Sequence, residues 1–358
     1  MASIPFNAGD GGFAQFRIPS LALTSAGVLV ALCEGRWKPG DAGDINIVSR
    51  RSTDGGRTWS PLREVLSHGH DTAGNPAVVT DPASGDLVLL SCRNRGGDTW
   101  SEITSGAAPA RRVYVQRSAD DGATWSAPAE ITGQVRADWM RWYATGPGHG
   151  VAIAAGPHAG RLVIPCNHTR AGTGAHPKYS GGHCVYSDDG GRTWTLGFTS
   201  SNPNNEINED EATVTLLADG QTLYFNCRCA SDRQPGNRAD AISRDGGRTL
   251  ERPYRPQTTI SGAICQGSVI TLGDGRLLYS GPSHPSPDAS GRAAMALRVS
   301  EDDGRTWRTG YEVSGLPAAY SAMVLLDAAT VGLLYETGDW TPDSRIAFEA
   351  IPVAALEG

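Results

Sequence analysis

The sequence predicts an all-β protein, a six-bladed β-propeller that occupies residues 1–358 as a single domain. An octamer close to S-x-D-x-G-x-T-W occurs five times, with copies that start 66, 69, 56 and 57 residues apart. Six short apolar segments recur at a similar interval, and no stretch shows the long 3.6-residue period of an amphipathic helix. A repeat of about 60 residues that is built from short strands indicates propeller blades.

The octamer predicts a tight turn between two strands. Asp and Gly favour such turns, the Asp carboxylate can accept backbone N–H bonds within its own turn, and the Trp can fold back and bury its ring. A calcium loop is the alternative, but the downstream bidentate Glu of an EF-hand is missing, so we expect no metal site. The copies are Ser52–Trp59, Ser118–Trp125, Ser187–Trp194, Ser243–Leu250 and Ser300–Trp307.

The six apolar segments predict buried strands, because they are short and rich in β-branched and aromatic residues. They outnumber the octamers by one. We therefore expect the last blade to be closed by a strand from the other end of the chain. The segments are Val28–Leu32, Leu87–Leu90, Leu162–Ile164, Leu223–Phe225, Leu277–Tyr279 and Val331–Tyr335.

Composition narrows the possible partners. The net charge is −7, which argues against nucleic acid, and no apolar window approaches the roughly 18 residues of a membrane span. The start, Met1–Phe6, lacks the basic and apolar regions of a signal peptide, so we expect a cytoplasmic chain, or an exported one if a leader was removed. Seven cysteines without C-x-x-C spacing predict buried thiols rather than disulfides or zinc ligands. The oligomeric state is not predicted.

Two motifs carry a family resemblance. Phe16-Arg17-Ile18-Pro19 matches an F-R-I-P motif, and the octamers match Asp boxes. Over essentially its whole length the chain resembles the bacterial exo-sialidases (neuraminidases) of the Asp-box, retaining type. The resemblance implies an exo-α-sialidase that removes terminal sialic acids from glycans or glycoconjugates through a covalent tyrosyl intermediate, with no metal or cofactor.

The resemblance also implies a carboxylate clamp. Arg17, Arg228 and Arg292 match the three arginines of the family, and Glu336 matches the glutamate that holds the first of them. Planar guanidinium groups suit the carboxylate of a sialic acid better than ammonium groups do. Three converging cations repel one another, so a fold tolerates them best when an anion sits between them.

The implied catalytic residues are Asp41 as acid/base, Tyr320 as nucleophile and Glu211 as its partner. A neutral phenol approaches a carbon that bears a carboxylate with less repulsion than a second carboxylate would, and sialidases are known as the tyrosine exception among glycosidases. A phenol is a weak nucleophile at neutral pH, so it needs an adjacent base.

Neighbouring acids compete with two of these assignments. Asp44 lies three residues after Asp41, and we expect it to be structural. Glu211 is favoured over nearby acids because it abuts the alternating strand 213–216. The competing acids are Glu206, Glu209 and Asp210.

Further residues of the site concern orientation and specificity. We expect Arg36 to orient Asp41 or to bind the 4-hydroxyl of the substrate. Asn75 stands where many family members carry an acid that contacts the N-acetyl amide, which leaves open a related hydrolase that prefers deaminated or other 2-keto sugar acids. The aromatic residues of Asp138–Tyr143 either line the pocket or pack under their loop.

A non-catalytic propeller that binds carbohydrate or protein is the alternative from another functional class, because such propellers also carry Asp boxes. The discriminating feature is the set of Asp41, Tyr320 and Glu211, which a binding module does not need.

Overall fold

The computed structural model describes residues 2–170, 180–200, 207–230, 238–284 and 291–357, and the regular secondary structure within these ranges is almost entirely β. The prediction of an all-β fold is confirmed. The helical elements of these ranges are α1 (Trp100–Ser105), α2 (Thr132–Val135) and the 3₁₀ turns Asp10–Gly12, Gly156–His158 and Val353–Glu357. No helix within them is long and apolar enough to cross a bilayer.

The first sheet carries much of the candidate site. Its strands are β2 (Gln15–Leu23), β3 (Leu29–Arg36), β4 (Ile45–Ser52), β5 (Arg63–Leu66), β6 (Thr72–Thr80), β7 (Leu87–Asn94), β8 (Arg112–Ser118), β9 (Ala129–Glu130) and β11 (Gly148–His149). Two antiparallel groups, β2 to β5 and β6 to β9, meet in this sheet through a single parallel bridge between Ile45 and Thr72. Strand β11 pairs in parallel with β6.

Two smaller antiparallel sheets follow. The first contains β10 (Met140–Thr145), β12 (Val151–Ala152), β13 (Leu162–Arg170), β14 (Ser180–Ser187) and β15 (Thr195–Thr199). The second contains β16 (Glu209–Leu216), β17 (Leu223–Cys229), β18 (Arg238–Ser243) and β19 (Arg252–Pro256), in that order.

The last sheet joins the two ends of the chain. Its strands are β1 (Ser3–Asn7), β20 (Ser268–Thr271), β21 (Leu277–Pro282), β22 (Ala293–Ser300), β23 (Arg308–Asp327), β24 (Thr330–Thr337) and β25 (Arg345–Pro352). Strand β1 lies antiparallel to β25, with Ser3 opposite Phe348. The prediction that a strand from the other chain end completes the last group is therefore confirmed.

The six apolar segments lie in the hydrophobic core. Each lies on a buried strand, namely β3, β7, β13, β17, β21 or β24, as predicted. Their side chains belong to clusters that bridge consecutive strand groups, so that Leu90 and Ile164, for example, share one cluster. All seven cysteines are buried and none forms a disulfide, which confirms the expectation of buried thiols.

The octamers form hydrogen-bonded turns at strand ends. In the third copy the Asp189 carboxylate accepts bonds from the backbone N–H groups of Arg192 and Thr193 at 3.0 and 2.9 Å and from the Thr193 hydroxyl at 2.7 Å. The expectation for the Trp rings is only partly correct. Trp194 and Trp307 are buried, whereas Trp59 and Trp125 are half-buried.

Candidate active site

The predicted site residues gather around one cleft of about 330 Å³. They lie on or beside strands from several sheets, and register shifts interrupt the pairing of four of those strands next to Arg17, Asn75, Glu211 and Tyr320. The lining comprises Ile18, Glu34, Arg36, Asp41, Thr72, Asn75, Trp100, Arg111, Trp142, Ala144, Asn167, Ser180, Asn208, Asp210, Glu211, Arg228, Ala230 and Tyr320.

Arg17 is held in place by a buried carboxylate. Its Nε donates to Glu336 Oε1 at 2.8 Å, and the backbone N–H of Ile18 donates to the same oxygen at 2.7 Å. Ile18 has a φ of 63°, which is unusual for a β-branched residue and costs of order 1–3 kcal/mol. The second bond to Glu336 stabilises this backbone, so one carboxylate orients both the arginine and the strand that carries it.

Tyr320 and Glu211 are hydrogen-bonded to each other in the cleft. The Tyr320 hydroxyl lies 2.8 and 2.7 Å from the two Glu211 carboxylate oxygens and donates to them. Arg228 Nη1 donates to Glu211 Oε2 at 2.9 Å and to the Tyr320 hydroxyl oxygen at 3.2 Å. The phenol, the carboxylate and the guanidinium therefore share one hydrogen-bonded cluster.

Burial dominates the acid–base behaviour of this cluster. Burial and the nearby charge of Glu211 raise the pKa of Tyr320 well above its usual range, although Arg228 and Arg292 act in the opposite direction. Burial also raises the pKa of Glu211, an effect that Arg228 partly offsets. The phenol is thus protonated at rest, beside a carboxylate that is a better base than an ordinary glutamate.

Arg17 and Arg292 approach the Tyr320 ring as well. Their guanidinium carbons lie 5.3 and 5.4 Å from its centroid, so the three predicted arginines converge on this one side chain. Arg292 donates through Nε and Nη2 to the Ile264 carbonyl oxygen at 3.2 and 3.0 Å. Within the described residues no carboxylate is ion-paired with it, which leaves its charge available to an anion.

Arg36 connects Asp41, the predicted acid/base, to Glu34 on the cleft wall. Its Nη1 donates to Asp41 Oδ1 at 2.8 Å, and its Nε and Nη2 donate to Glu34 Oε2 at 3.0 and 2.7 Å. The Asp41 side chain is 85% exposed at the cleft mouth. Its partial desolvation raises its pKa, but Arg36, with smaller contributions from Arg17 and Arg292, outweighs this and holds the pKa below the ordinary value.

Asn75 sits in a rigid corner of the cleft. Its φ is 54°, a left-handed conformation that Asn tolerates, and its backbone N–H donates to Glu34 Oε1 at 2.8 Å. Arg111 Nη1 donates to Asn75 Oδ1 at 2.7 Å and to the Tyr143 carbonyl oxygen at 3.1 Å. The Arg111 guanidinium stacks 4.2 Å from the centroid of the Trp142 ring.

Six of the nine predicted site residues line the cleft directly, and the other three support Tyr320. Glu336 is fully buried behind the cleft and accepts the Tyr320 backbone N–H at 3.2 Å, and Arg17 and Arg292 flank the ring. The six are Arg36, Asp41, Asn75, Glu211, Arg228 and Tyr320.

The competing acids lie in other surroundings. Asp44 lies 3.1 Å from His70 Nδ1 and does not line the cleft, and Glu209 accepts a bond from Ser200 at 3.0 Å. Asp210 does line the cleft and lies 3.5 Å from Arg228 Nε. Glu206 falls outside the described residues.

Sequence reasoning missed several residues of this cleft. Glu34 connects Arg36 to Asn75, and Arg111 is a buried cation on the cleft wall. Asp210 pairs with Arg228 and accepts the Asn167 side-chain amide at 2.9 Å. The only local signal was Glu34, which directly precedes Gly35-Arg36; the other contacts arise from long-range packing. Of the aromatic segment, Trp142 lines the cleft, and Tyr143 is buried beneath it.

The chemistry of the cleft is that of acids, a phenol and arginines. Within the described ranges no group of three or more His, Cys, Asp or Glu side chains is placed to hold a metal ion. A proton donor at the mouth, a buried phenol on a base and an arginine cluster can bind an anionic substrate and exchange protons with it.

Comparison with known proteins places these features in a family. Residues 27–333 match the family described as BNR repeat-like domain. A sialidase of Micromonospora viridifaciens is 33% identical over 92% of this chain and 51% of its own length. An exo-alpha-sialidase of Aspergillus fumigatus is 30% identical over 91% of this chain and 79% of its own length.

A solved structure agrees with the fold. The Hadza microbial sialidase Hz136 superposes with a TM-score of 0.83 at 28% identity, covering 99% of this chain and 69% of that one. A sialidase of Bacteroides fragilis is 28% identical over 92% of this chain and 61% of its own length. The chain spans about half to three fifths of the length of the Micromonospora and Bacteroides relatives.

Proposed function

This chain belongs to the sialidase family of BNR-repeat proteins, and on that premise we propose that it is a retaining exo-α-sialidase that releases terminal sialic acids from glycoconjugates. The observation that carries the proposal is the contact between Tyr320 and Glu211 beneath three convergent arginines. A buried phenol that donates to a buried carboxylate has the arrangement of a nucleophile beside its base. The arginines would bind the carboxylate of an acidic sugar next to this phenol.

Substrate binding is the first step of the proposed mechanism. The sugar carboxylate displaces water from the arginine cluster and offsets the mutual repulsion of Arg17, Arg228 and Arg292. Because Glu336 already fixes Arg17, the clamp loses little side-chain entropy on binding. The anomeric carbon, which carries that carboxylate, is thereby placed over the Tyr320 hydroxyl.

Glycosyl transfer to the enzyme follows. The Tyr320 oxygen bonds to the anomeric carbon while its proton passes to Glu211, and the glycosidic C–O bond breaks as Asp41 protonates the leaving oxygen. The arginines stabilise the phenolate character that develops on Tyr320 during this transfer. Asp41 is suited to the outer position, because it is exposed where a leaving group exits to solvent.

Hydrolysis then restores the enzyme. Asp41, now ionised, takes a proton from water as the water oxygen attacks the anomeric carbon. The bond from that carbon to Tyr320 breaks, and Glu211 returns the proton to the phenol oxygen. Two inversions at one carbon give overall retention.

The experiment that tests this function is hydrolysis of a fluorogenic aryl α-sialoside, followed by NMR of the first product formed. We expect release of the aryl alcohol and initial appearance of the α-anomer of the free sugar. Initial β-anomer would refute retention, and absence of turnover by folded protein would favour the non-catalytic alternative.

We also propose the finer architecture, six blades in one catalytic domain over residues 1–358. Five groups of four antiparallel strands support it, with β23 continuing into a sixth group that β24, β25 and β1 complete. Residues on β2, β3, β6, β16, β17 and β23 reach one cleft, as the inner ends of blades around an axis would.

A further inference from the structure

The corner of the cleft around Asn75 has an unusual hydrogen-bonding character. Arg111 is 2% exposed, and within the described residues no ion pair joins it to a carboxylate. Its partners are the Asn75 side-chain oxygen and the Tyr143 carbonyl oxygen. Burial lowers the pKa of Arg111, although Cys92 and the nearby charges of Glu34 and Asp41 act to raise it.

Arg111 fixes the orientation of the Asn75 amide. A guanidinium has only donors, so the atom of Asn75 that lies 2.7 Å from Arg111 Nη1 must be the amide oxygen. The NH₂ group therefore points the other way. Because Asn75 lines the cleft and its Nδ2 has no acceptor among the described residues, this group presents two N–H donors to whatever occupies the cleft.

The backbone of Asn75 is already engaged in hydrogen bonds. Its N–H is bound to Glu34, and its carbonyl oxygen accepts the Thr145 hydroxyl at 2.6 Å. Glu34 itself is 5% exposed, and both of its oxygens already accept bonds, from Asn75 and from Arg36. A ligand atom that faces Asn75 thus meets donors on Asn75 and Arg111, whereas the acceptor oxygens of this corner already bond to protein donors.

We propose that Asn75 and Arg111 form a donor-only subsite for an oxygen acceptor on ring carbon C5, so that the enzyme prefers a deaminated, 5-hydroxy nonulosonic acid to its 5-acetamido counterpart. The inference rests on the proposed function, because the carboxylate clamp and Tyr320 must hold the anomeric carbon C2. In a six-membered ring C5 lies directly across from C2, so its substituent points away from the clamp. Asn75 lines the same cleft, and its hydrogen-bond partners among the described residues are Glu34, Arg111 and Thr145 rather than a clamp arginine.

The chemistry of the two substituents explains the preference. A hydroxyl oxygen can accept bonds from Asn75 Nδ2 and Arg111 and still donate its own proton to water. An acetamido group instead presents an N–H donor at the atom attached to the ring, where that donor would face other donors, and its carbonyl oxygen lies two bonds farther from the ring. Sites that mismatch donors and acceptors in this way discriminate by tenfold or more.

The test compares kcat/KM of the wild type for the aryl glycosides of the 5-hydroxy and 5-acetamido acids. We expect the 5-hydroxy substrate to be favoured at least about tenfold. Asn75→Asp replaces the cleft-facing donor by an acceptor of the same shape, and Asp also tolerates a positive φ. In N75D one oxygen still takes Arg111, so the preference should shrink or reverse.

Asn167→Asp is the matched control. It adds the same negative charge to the same cleft on another wall, where Asn167 contacts Asp210. Both substrates carry the same carboxylate, so N167D should change the two kcat/KM values in parallel and leave their ratio within about twofold of the wild type.

Other outcomes are equally decisive. A wild type that favours the 5-acetamido substrate, or an N75D ratio equal to that of wild type, overturns the inference. If neither substrate turns over, the proposed function fails, and calorimetric affinities for the two free acids decide the subsite separately. Equal affinities would then overturn it, and a tenfold preference for the 5-hydroxy acid would support it. Should N75D not fold, the wild-type ratio alone decides.

Discussion

The Tyr320 hydroxyl donates to both carboxylate oxygens of Glu211, at 2.8 and 2.7 Å, although 109 residues separate the two side chains. This contact places a proton acceptor at the only polar atom of a buried ring. Burial raises the pKa of both groups, so the proton stays on the phenol until charge develops during reaction. Nearby Arg228 bonds to both and keeps the pair oriented.

Tyr320→Phe should abolish catalysis while leaving the fold intact. The change deletes the atom that attacks the anomeric carbon, so we expect kcat to fall by roughly a thousandfold or more. Tyr335→Phe, on the neighbouring strand β24, is the matched control, because its hydroxyl donates to Glu349 outside the cleft. Steady-state hydrolysis of an aryl sialoside measures both. Equal activity of Y320F and wild type would show that Tyr320 is not the nucleophile.

Glu336→Gln should destabilise the protein as well as weaken substrate binding. Glu336 is fully buried and accepts bonds from Arg17, from Ile18 and from the Tyr320 backbone, so an amide would turn an NH₂ group toward these donors. Breaking a buried pair typically costs about 3 kcal/mol.

Urea unfolding monitored by tryptophan fluorescence measures this loss of unfolding free energy. Glu349→Gln is the control, because Glu349 is only half-buried and has one phenol partner, so its change should be less than about 1 kcal/mol. Equal midpoints for E336Q and wild type would contradict the assigned role of Glu336 in fixing Arg17.

The strands and turns of the fold were predictable from the sequence, because their signals are local. Each apolar run and each octamer carries its structure within about eight residues, and all six runs are buried strands. The half-buried Trp59 and Trp125 were mispredicted, since ring burial depends on what a neighbouring strand group packs against the turn.

The site was predictable only where a motif preserves it. Arg17 and Tyr320 were identified through the family resemblance. In contrast, the residues around Arg111 in the sequence do not indicate that its side chain is buried and donates a hydrogen bond to Asn75. That contact spans 36 residues and depends on how β6 and the segment before β8 come together. Long-range contacts of this kind set the electrostatics of the cleft, and a single sequence does not encode them in a readable pattern.

Arg36→Gln should move the pH dependence of activity. Arg36 holds the pKa of Asp41 below its ordinary value, despite the partial desolvation that acts to raise it. A general acid must be protonated in the free enzyme, so activity falls as pH rises through its pKa. Removing the positive charge raises that pKa, and the alkaline limb of the kcat/KM profile should shift to higher pH.

The profile of kcat/KM from pH 3 to 8 measures this shift. Arg50→Gln removes a positive charge that pairs with Asp10 away from the cleft, and its profile should match that of the wild type. A shift of the R36Q limb to lower pH would contradict the role of Asp41 as the acid.

Asp189→Asn should reduce the sensitivity of the fold to acid. Although burial acts to raise the pKa of Asp189, hydrogen bonds from Thr193, Ser187 and Arg192 lower it to about 2 in the folded chain. The pKa in the unfolded chain is near 3.9, so this carboxylate contributes stability above about pH 4 and loses that contribution as pH falls through about 2.

An asparagine does not titrate, so the Tm of D189N should start lower at pH 6 and fall less steeply between pH 4 and 2. Thermal unfolding at each pH measures both slopes. Asp188→Asn is the control for loss of charge beside the turn, because Asp188 is exposed and its pKa is lowered by a hydrogen bond from Arg161 at the adjacent strand end of the same sheet. Parallel Tm curves for D189N and wild type would show that the octamer turn does not couple to global unfolding in acid.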